Sequence, residues 1–218
     1  MPIELPLFPL GAVLFPHMPM ALHVFEDRYR EMMRECRRTG TTFGVVAIRE
    51  GVEVGGTAVP YPVGTLALQR EVEELPDGRF NLIVVGASRF RIDSISTQRP
   101  YIIGAIHYLE DAPATVDDAA LAERVRTAFR AYATSLRAHA ESEPQGGADL
   151  DLPDEPELLS YIVAASLDVE TGRRQALLEL DSTTARLQGC LAALRREALL
   201  MDRMLGRPRP PAALASLN

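Results

Sequence analysis

Along the first half of the chain apolar residues tend to alternate with polar ones. Beyond Glu110-Asp111-Ala112-Pro113 they recur every three to four positions. A period of two marks half-buried strands and a period of 3.6 marks amphipathic helices, so a β half precedes a helical half. Ile3, Leu5, Leu7 and Phe8 to Leu10 suit a strand whose prolines, Pro6 and Pro9, take edge or bulge positions. Val13 to Phe15 and Met20 to Phe25 are further apolar runs. From Glu26 to Arg38, Tyr29, Met32, Met33 and Cys36 share one face of a helix that Gly40 stops. Phe43 to Arg49 predicts a strand, Gly51 to Gly56 a loop, and Gly64 to Glu74 an alternating strand. Leu75-Pro76-Asp77-Gly78 is a turn, with Gly78 free to take positive φ. A strand Phe80 to Val85, a short connection Gly86-Ala87-Ser88, a strand through Phe90, Ile92 and Ile95, and a strand Tyr101 to Leu109 follow. About seven short strands with close turn signals predict a small barrel or sandwich with one inserted helix.

The helical half opens on an acidic cap, Thr115-Val116-Asp117-Asp118. A long helix follows, striped by Leu121, Val125, Ala128, Phe129, Tyr132 and Leu136. Glu141 to Glu157 is acidic and broken by Pro and Gly, which predicts a loop; Asp154 is placed to cap a helix that runs to Leu167. Thr171 to Leu180 predicts a short helix and Asp181 to Leu205 a longer one. In the latter, Leu187, Leu191, Leu194, Ala198, Met201 and Leu205 step alternately by four and three, a heptad seam. Over about three heptads this fits a bundle's core stripe better than an intermolecular coiled coil. A monomer is favoured, and an oligomer through the seam remains open. Gly206 ends the helix, and Arg207 to Asn218, with Pro208, Pro210 and Pro211, reads as a flexible tail. The expected divisions are a β domain over 1–113, a helical bundle over 114–206 and the tail over 207–218.

Composition narrows the function classes. With 47% hydrophobic and 24% charged residues in 218, the chain has the profile of a globular protein rather than a disordered one. Leu5 to Phe25 carries no Asp, Glu or Arg, yet Pro6, Pro9, Pro16 and Pro19 interrupt it and no basic region precedes it. That argues against a spanning helix or a signal peptide. Net charge is -7, and neither half is basic: 11 Arg face 14 acidic residues in 1–113, and 12 Arg face 16 in 114–218. No electrostatic footprint for nucleic acid is present. All 23 cationic residues are Arg. Without Lys there is no P-loop, no Ser–Lys dyad and no Schiff base. Cys36 and Cys190 stand alone, which fits a reducing, cytoplasmic setting and two small buried hydrophobes.

Chemistry-bearing constellations are scarce. His17, His23, His107 and His139 are scattered and lack metal-ligand spacing. Ser88 lacks the second Gly of a nucleophile elbow, and residues 51–56 do not form a dinucleotide-binding loop. Arg89 and Arg91 share a strand face that could hold an anion, though a solvated face accounts for them more simply. Glu26, Arg28 and Arg30 open the first helix, where pairing within the fold competes with ligand contact.

Taken in order, several short pieces resemble the start of the Lon N-terminal domain family. They are Leu5-Pro6-Leu7-Phe8-Pro9-Leu10, Val13-Leu14-Phe15-Pro16 and Leu22-His23-Val24-Phe25-Glu26-Asp27-Arg28-Tyr29-Arg30. Phe43-Gly44-Val45-Val46, Val63-Gly64-Thr65-Leu66-Ala67, Leu75-Pro76-Asp77-Gly78-Arg79 and Val85-Gly86 with Arg89-Phe90-Arg91-Ile92 continue the likeness over about residues 3–111. Gln175-Ala176-Leu177-Leu178-Glu179-Leu180 is similar to the helical segment of stand-alone members. The resemblance implies an α+β fold: a PUA-like β pseudo-barrel with one inserted helix, then a C-terminal α-helical bundle. It also implies a non-catalytic module that binds unfolded or extended polypeptide or a protein partner, with no cofactor, no metal and no membrane. On this resemblance no ATPase or peptidase part is expected within these 218 residues. Candidate binding residues are Phe8, Phe15, Glu26, Arg28, Tyr29, Arg89 and Arg91. The alternative, by analogy with other PUA-like folds, is binding of RNA or a modified nucleotide.

Overall fold

A computed structural model describes residues 3–56, 58–113, 115–139 and 151–205. Expectations for residues 141–150 and 206–218 lie outside the described residues. The order is β1 (Ile3–Leu10), β2 (Pro19–Val24), α1 (Asp27–Thr39), β3 (Phe43–Gly51), β4 (Ala58–Glu74), β5 (Phe80–Ser96) and β6 (Ile102–Tyr108). Four helices follow: α2 (Val116–His139), α3 (Pro156–Ser166), α4 (Thr171–Leu178) and α5 (Thr183–Leu205).

The strands form one six-stranded sheet in the order β2-β5-β4-β3-β1-β6, and β6 also pairs with β5. Those pairings close a ring through β5, β4, β3, β1 and β6, with β2 attached to β5 alone. β1 and β3 run parallel, which requires a crossover; β2 and α1 supply it. β1 pairs with β6 over Ile3–Leu7 and with β3 over Leu7–Leu10. A strand carrying Pro6 and Pro9 tolerates this half-and-half pairing because it never needs a full ladder on both edges.

The chain folds with fewer, longer strands than its alternation predicts. β4 begins at Ala58 rather than Gly64. β5 is one strand of 17 residues, so the expected connection at Gly86-Ala87-Ser88 does not exist. Those small residues answer a different need. On one edge β5 pairs with β4 over Phe80–Arg91; on the other it changes partner, from β2 over Phe80–Val85 to β6 over Phe90–Ser96. At the change, residues 15–18 lie against the strand in a single parallel bridge, Pro16 to Gly86: His17 N–H donates to Gly86 O (2.8 Å) and Gly86 N–H to Met18 O (3.0 Å). A Cβ on Gly86 would lie 2.1 Å from Phe15 O. His17 itself takes φ 64°, the one positive value outside glycine among the described residues.

α1 forms as its stripe predicts, burying Tyr29, Met32, Met33 and Cys36, and ends at Gly40, whose φ of 66° gives the left-handed cap. Arg30 clips it to the β4–β5 turn, donating to Gly78 O (2.8 Å) and Asp77 O (2.9 Å). α3 has Glu155, not Asp154, at its N-cap, without a side-chain hydrogen bond. Pro156 at the first turn has no N–H to satisfy, which lessens the need for a cap.

Three apolar clusters hold the fold. One joins Phe8, Leu22 and Val24 to α1, Phe43 and Phe80; a small one gathers Leu5, Leu7, Val46, Phe90 and Ile106. The third unites the halves: Val13, Phe15, Ala47 and Val63 pack with Leu121, Val125, Leu159, Tyr161, Leu167 and Leu187. Within the heptad seam Leu187, Leu191 and Leu194 are buried in that cluster, whereas Ala198 is exposed.

Candidate functional site

Two clefts of similar size flank the β half. The first, about 560 Å³, lies between the end of β1, the length of β2, the start of α1 and the β3–β4 loop. Phe8, Leu10, Leu22 and Tyr29 form its apolar wall. The Phe8 and Tyr29 rings pack with centroids 4.5 Å apart, and Phe43 backs Phe8 at 6.0 Å. Phe25 (46% exposed) and Val54 (56%) stand on the rim as uncovered apolar surface.

Ion pairs shape that rim. Arg28 donates to Gly56 O (3.1 Å), pairs with Glu26 (2.9 Å) and lies 4.6 Å over the Tyr29 ring. Glu26 accepts from Gly55 N–H (3.2 Å), and Glu53 accepts from Gly11 N–H (2.7 Å). The β3–β4 loop is thereby tied to α1 on one side and to the end of β1 on the other. Burial pushes the Tyr29 phenol above its usual range, with the Arg28 guanidinium opposing the shift.

The second cleft, about 580 Å³, lies where the two halves meet. Its floor is a buried charge cluster. Arg89 pairs with Asp111 and donates to Leu178 O (2.7 Å); Arg186 pairs with the other oxygen of Asp111 and donates to Ser160 Oγ (2.8 Å). The Arg186 guanidinium also lies 3.9 Å over the Tyr161 ring. Burial pushes the Tyr161 phenol up to about 12, against the pull of Arg186 and Arg89. Every named partner of these guanidiniums belongs to the fold, and the cluster joins β5 to α4 and α5.

The sequence candidates therefore separate. Phe8, Glu26 and Tyr29 converge on the first cleft, with Arg28 bracing its rim. Phe15 is buried between the halves, 6.4 Å from the Tyr161 ring. Arg89 is not on a solvated face: it is 3% exposed, because the helices cover β5 where it lies. Arg91, two residues on, is exposed. Sequence reasoning missed Glu53 and Val54, which sit in a loop with no periodicity. It also missed Asp111, Tyr161 and Arg186, whose meeting depends on how the halves dock. The polar Arg186 among the apolar positions of α5 was the available signal.

No three His, Cys, Asp or Glu side chains gather in metal-holding geometry among the described residues. No helix among them is long and apolar enough to cross a membrane.

The ATP-dependent protease La (LON) substrate-binding domain family matches residues 4–196. The chain belongs to that family. The Lon protease of Escherichia coli K12 is 26% identical over 202 residues, covering 92% of this chain and 26% of its own. Lon protease 2 of Syntrophobacter fumaroxidans is 30% identical over 192 residues, covering 86% of this chain and 24% of its own. The chain thus spans about a quarter of the length of these curated relatives. Their alignments do not reach the protease and ATPase parts. Among solved structures, a Lon N-terminal domain protein from Xanthomonas campestris superposes with a TM-score of 0.65 at 27% identity, covering 87% of this chain and 98% of its own. The N-terminal domain of a Mycobacterium avium complex Lon protease gives 0.67 at 16% identity, covering 88% and 98%, a likeness of fold.

Proposed function

We propose that this chain is a non-catalytic polypeptide-binding module, and that the β1–β2 cleft is where it takes hold of an unfolded or extended chain. The observation that carries this reading is the cleft itself. Its wall is aromatic and aliphatic, its rim leaves Phe25 and Val54 uncovered, and its 560 Å³ falls in the range of binding pockets. In this reading the closed ring of strands is a PUA-like pseudo-barrel, the four following helices are a bundle that buttresses it, and the module works as a monomer in the cytoplasm. Family membership supports protein as the ligand class. The alternative, RNA or a modified nucleotide, is disfavoured by a net charge of -7 and by a cleft lined with Glu26 and Glu53 but no Arg.

Fluorescence anisotropy with labelled reduced casein and a labelled single-stranded RNA, each at low and high salt, tests the reading. Micromolar casein binding that survives salt is expected, since apolar capture depends little on counterions while phosphate binding falls steeply. RNA binding that collapses with salt, with no casein binding, would replace it with the alternative. Incubation with casein and ATP should release no peptides.

A further inference from the structure

The first cleft is lined by consecutive residues, 8–12 at the end of β1 and 20–25 along β2. Side chains of a strand alternate between faces, so a cleft bounded by a continuous run meets the strand along its edge. The pairing agrees. β2 is hydrogen-bonded to β5 alone among the described residues, over Pro19–Val24, and its opposite edge carries no partner strand. β1 past Leu7 pairs only with β3. Unpaired backbone N–H and C=O groups along a strand are a template for another strand. Pro9 removes a donor from β1, which leaves β2 the better template, its own Pro19 lying at the first position.

Resting on the polypeptide-binding reading, we propose that the cleft receives its guest as an added β-strand on the free edge of β2. The guest is an extended segment of about six residues, matched to the length of β2. Its side chains facing the cleft are apolar, against Phe8, Leu10 and Tyr29. Beside the end of β2 stand Glu26 and Glu53; Asp27, next in the chain, is exposed and paired with Arg30 (2.7 Å). The cations near this rim are engaged within the fold: Arg28 is turned to the loop carbonyls and to Glu26, Arg30 to Asp27 and the carbonyls of Asp77 and Gly78, and Arg79 to Asp77. Glu26 and Asp27 already have Arg partners, while Glu53 has no ion pair among the described residues, so the rim is left complementary to one cationic side chain, and a guest with Arg or Lys at the end beside Glu26 and Glu53 binds in preference to one with Glu there. Main-chain hydrogen bonds hold the guest whatever its sequence; the apolar alternation and the terminal cation select among guests.

The probe is a fluorescein-labelled octapeptide of alternating Val and Thr ending in Arg. It is compared with three others: the same peptide ending in Glu, the Arg peptide N-methylated at alternate residues, and labelled reduced casein. The Arg peptide is expected to bind about tenfold more tightly than the Glu peptide at low salt, with the gap closing at high salt. N-methylation, which removes donors while keeping side chains, is expected to abolish binding. In the double variant Glu26→Gln, Glu53→Gln, whose amides keep the acceptors for Gly55 and Gly11, the preference for Arg should shrink several-fold while peptide binding persists. Equal binding of the methylated and unmethylated peptides overturns strand addition and leaves the polypeptide-binding reading standing. Failure of casein and every peptide to bind overturns both.

Discussion

At the scale of single residues, Asp111 balances two guanidiniums that water hardly reaches. The side chains of Arg89 and Arg186 are 3% and 0% exposed, and Asp111 is 12% exposed. Removing one member of such a set leaves buried charge uncompensated, which costs roughly 3–5 kcal/mol. Asp111→Ala should lose about that much stability in urea denaturation, and Asp111→Asn less. A loss under about 0.5 kcal/mol, the level of an ordinary surface change, would mean the cluster does not clamp the halves. Cys190 makes a second case. Burial pushes its thiol up to about 12, and burial also raises Cys36. Above about pH 8.5 the unfolded thiol ionises while the folded Cys190 stays protonated. The stability difference is thus whole below pH 8.5 and shrinks as pH rises toward 12. The urea midpoint should fall between pH 7.5 and pH 10, and fall less in Cys190→Ala. Iodoacetamide should label neither cysteine until the chain unfolds. The alternation of Phe90 and Ile92 with Arg89 and Arg91 told correctly which side each residue faces. It could not tell that helices cover the Arg89 side, because docking between halves leaves no local period.

Among the elements, β5 shows how a sequence signal can be read for the wrong reason. Gly86-Ala87-Ser88 has the composition of a turn, yet the strand continues through it, with a register shift against β4 between the Ala67–Gly86 and Thr65–Arg89 pairs. The small Gly86 makes room for Phe15 and Pro16 to lie close against the strand, a long-range requirement that composition alone cannot separate from a turn. Gly86→Ala forces a Cβ to within 2.1 Å of Phe15 O and 2.9 Å of Phe15 C, backbone atoms that cannot swing aside. Its melting midpoint should fall well below that of Ala87→Gly, a change at the neighbouring position. The start of α2 was legible because capping is local: Asp118 accepts from Thr115 N–H (2.8 Å), the back half of a capping box. What the sequence could not show is that Thr184 Oγ1 of α5 donates to the same carboxylate (2.5 Å). That bond first, then the Thr115 N–H, holds the Asp118 carboxyl below the usual carboxylate range, against the cost of burial. A depressed carboxyl pKa gives stability that is present above the unfolded value near pH 4 and lost as pH falls through the folded value. Asp118→Ala should cost about 1 kcal/mol at pH 7 and nearly nothing once the parent's carboxyl is protonated. A cost independent of pH would show that packing, not charge, holds this cap.

On the scale of the whole molecule, the change of period near residue 112 divides the secondary structure without dividing the core. The largest apolar cluster takes Val13 and Phe15 from the β1–β2 connection, Ala47 and Val63 from the sheet, and most of its remaining members from the helices. Polar contacts follow the same seam: Gln175 Nε2 donates to Val63 O (2.9 Å) and Thr171 Oγ1 to Gly11 O (2.8 Å). The cleft edge formed by Gly11 is thus braced from behind by α4. A β half cut off after residue 113 would present that apolar face to water and strip Arg89 of the Leu178 and Leu180 carbonyls. Exposed faces of this kind associate or collapse. The intact chain should therefore unfold in one step. Far-UV circular dichroism, dominated by α2 and α5, and amide exchange at Leu82 and Val84 in β5 should report the same unfolding free energy. Limited proteolysis should not release stable halves by cutting at residues 110–113. Two resolved transitions, or a fragment of residues 1–113 with the parent's exchange protection in β5, would show instead that the β half stands without its helices.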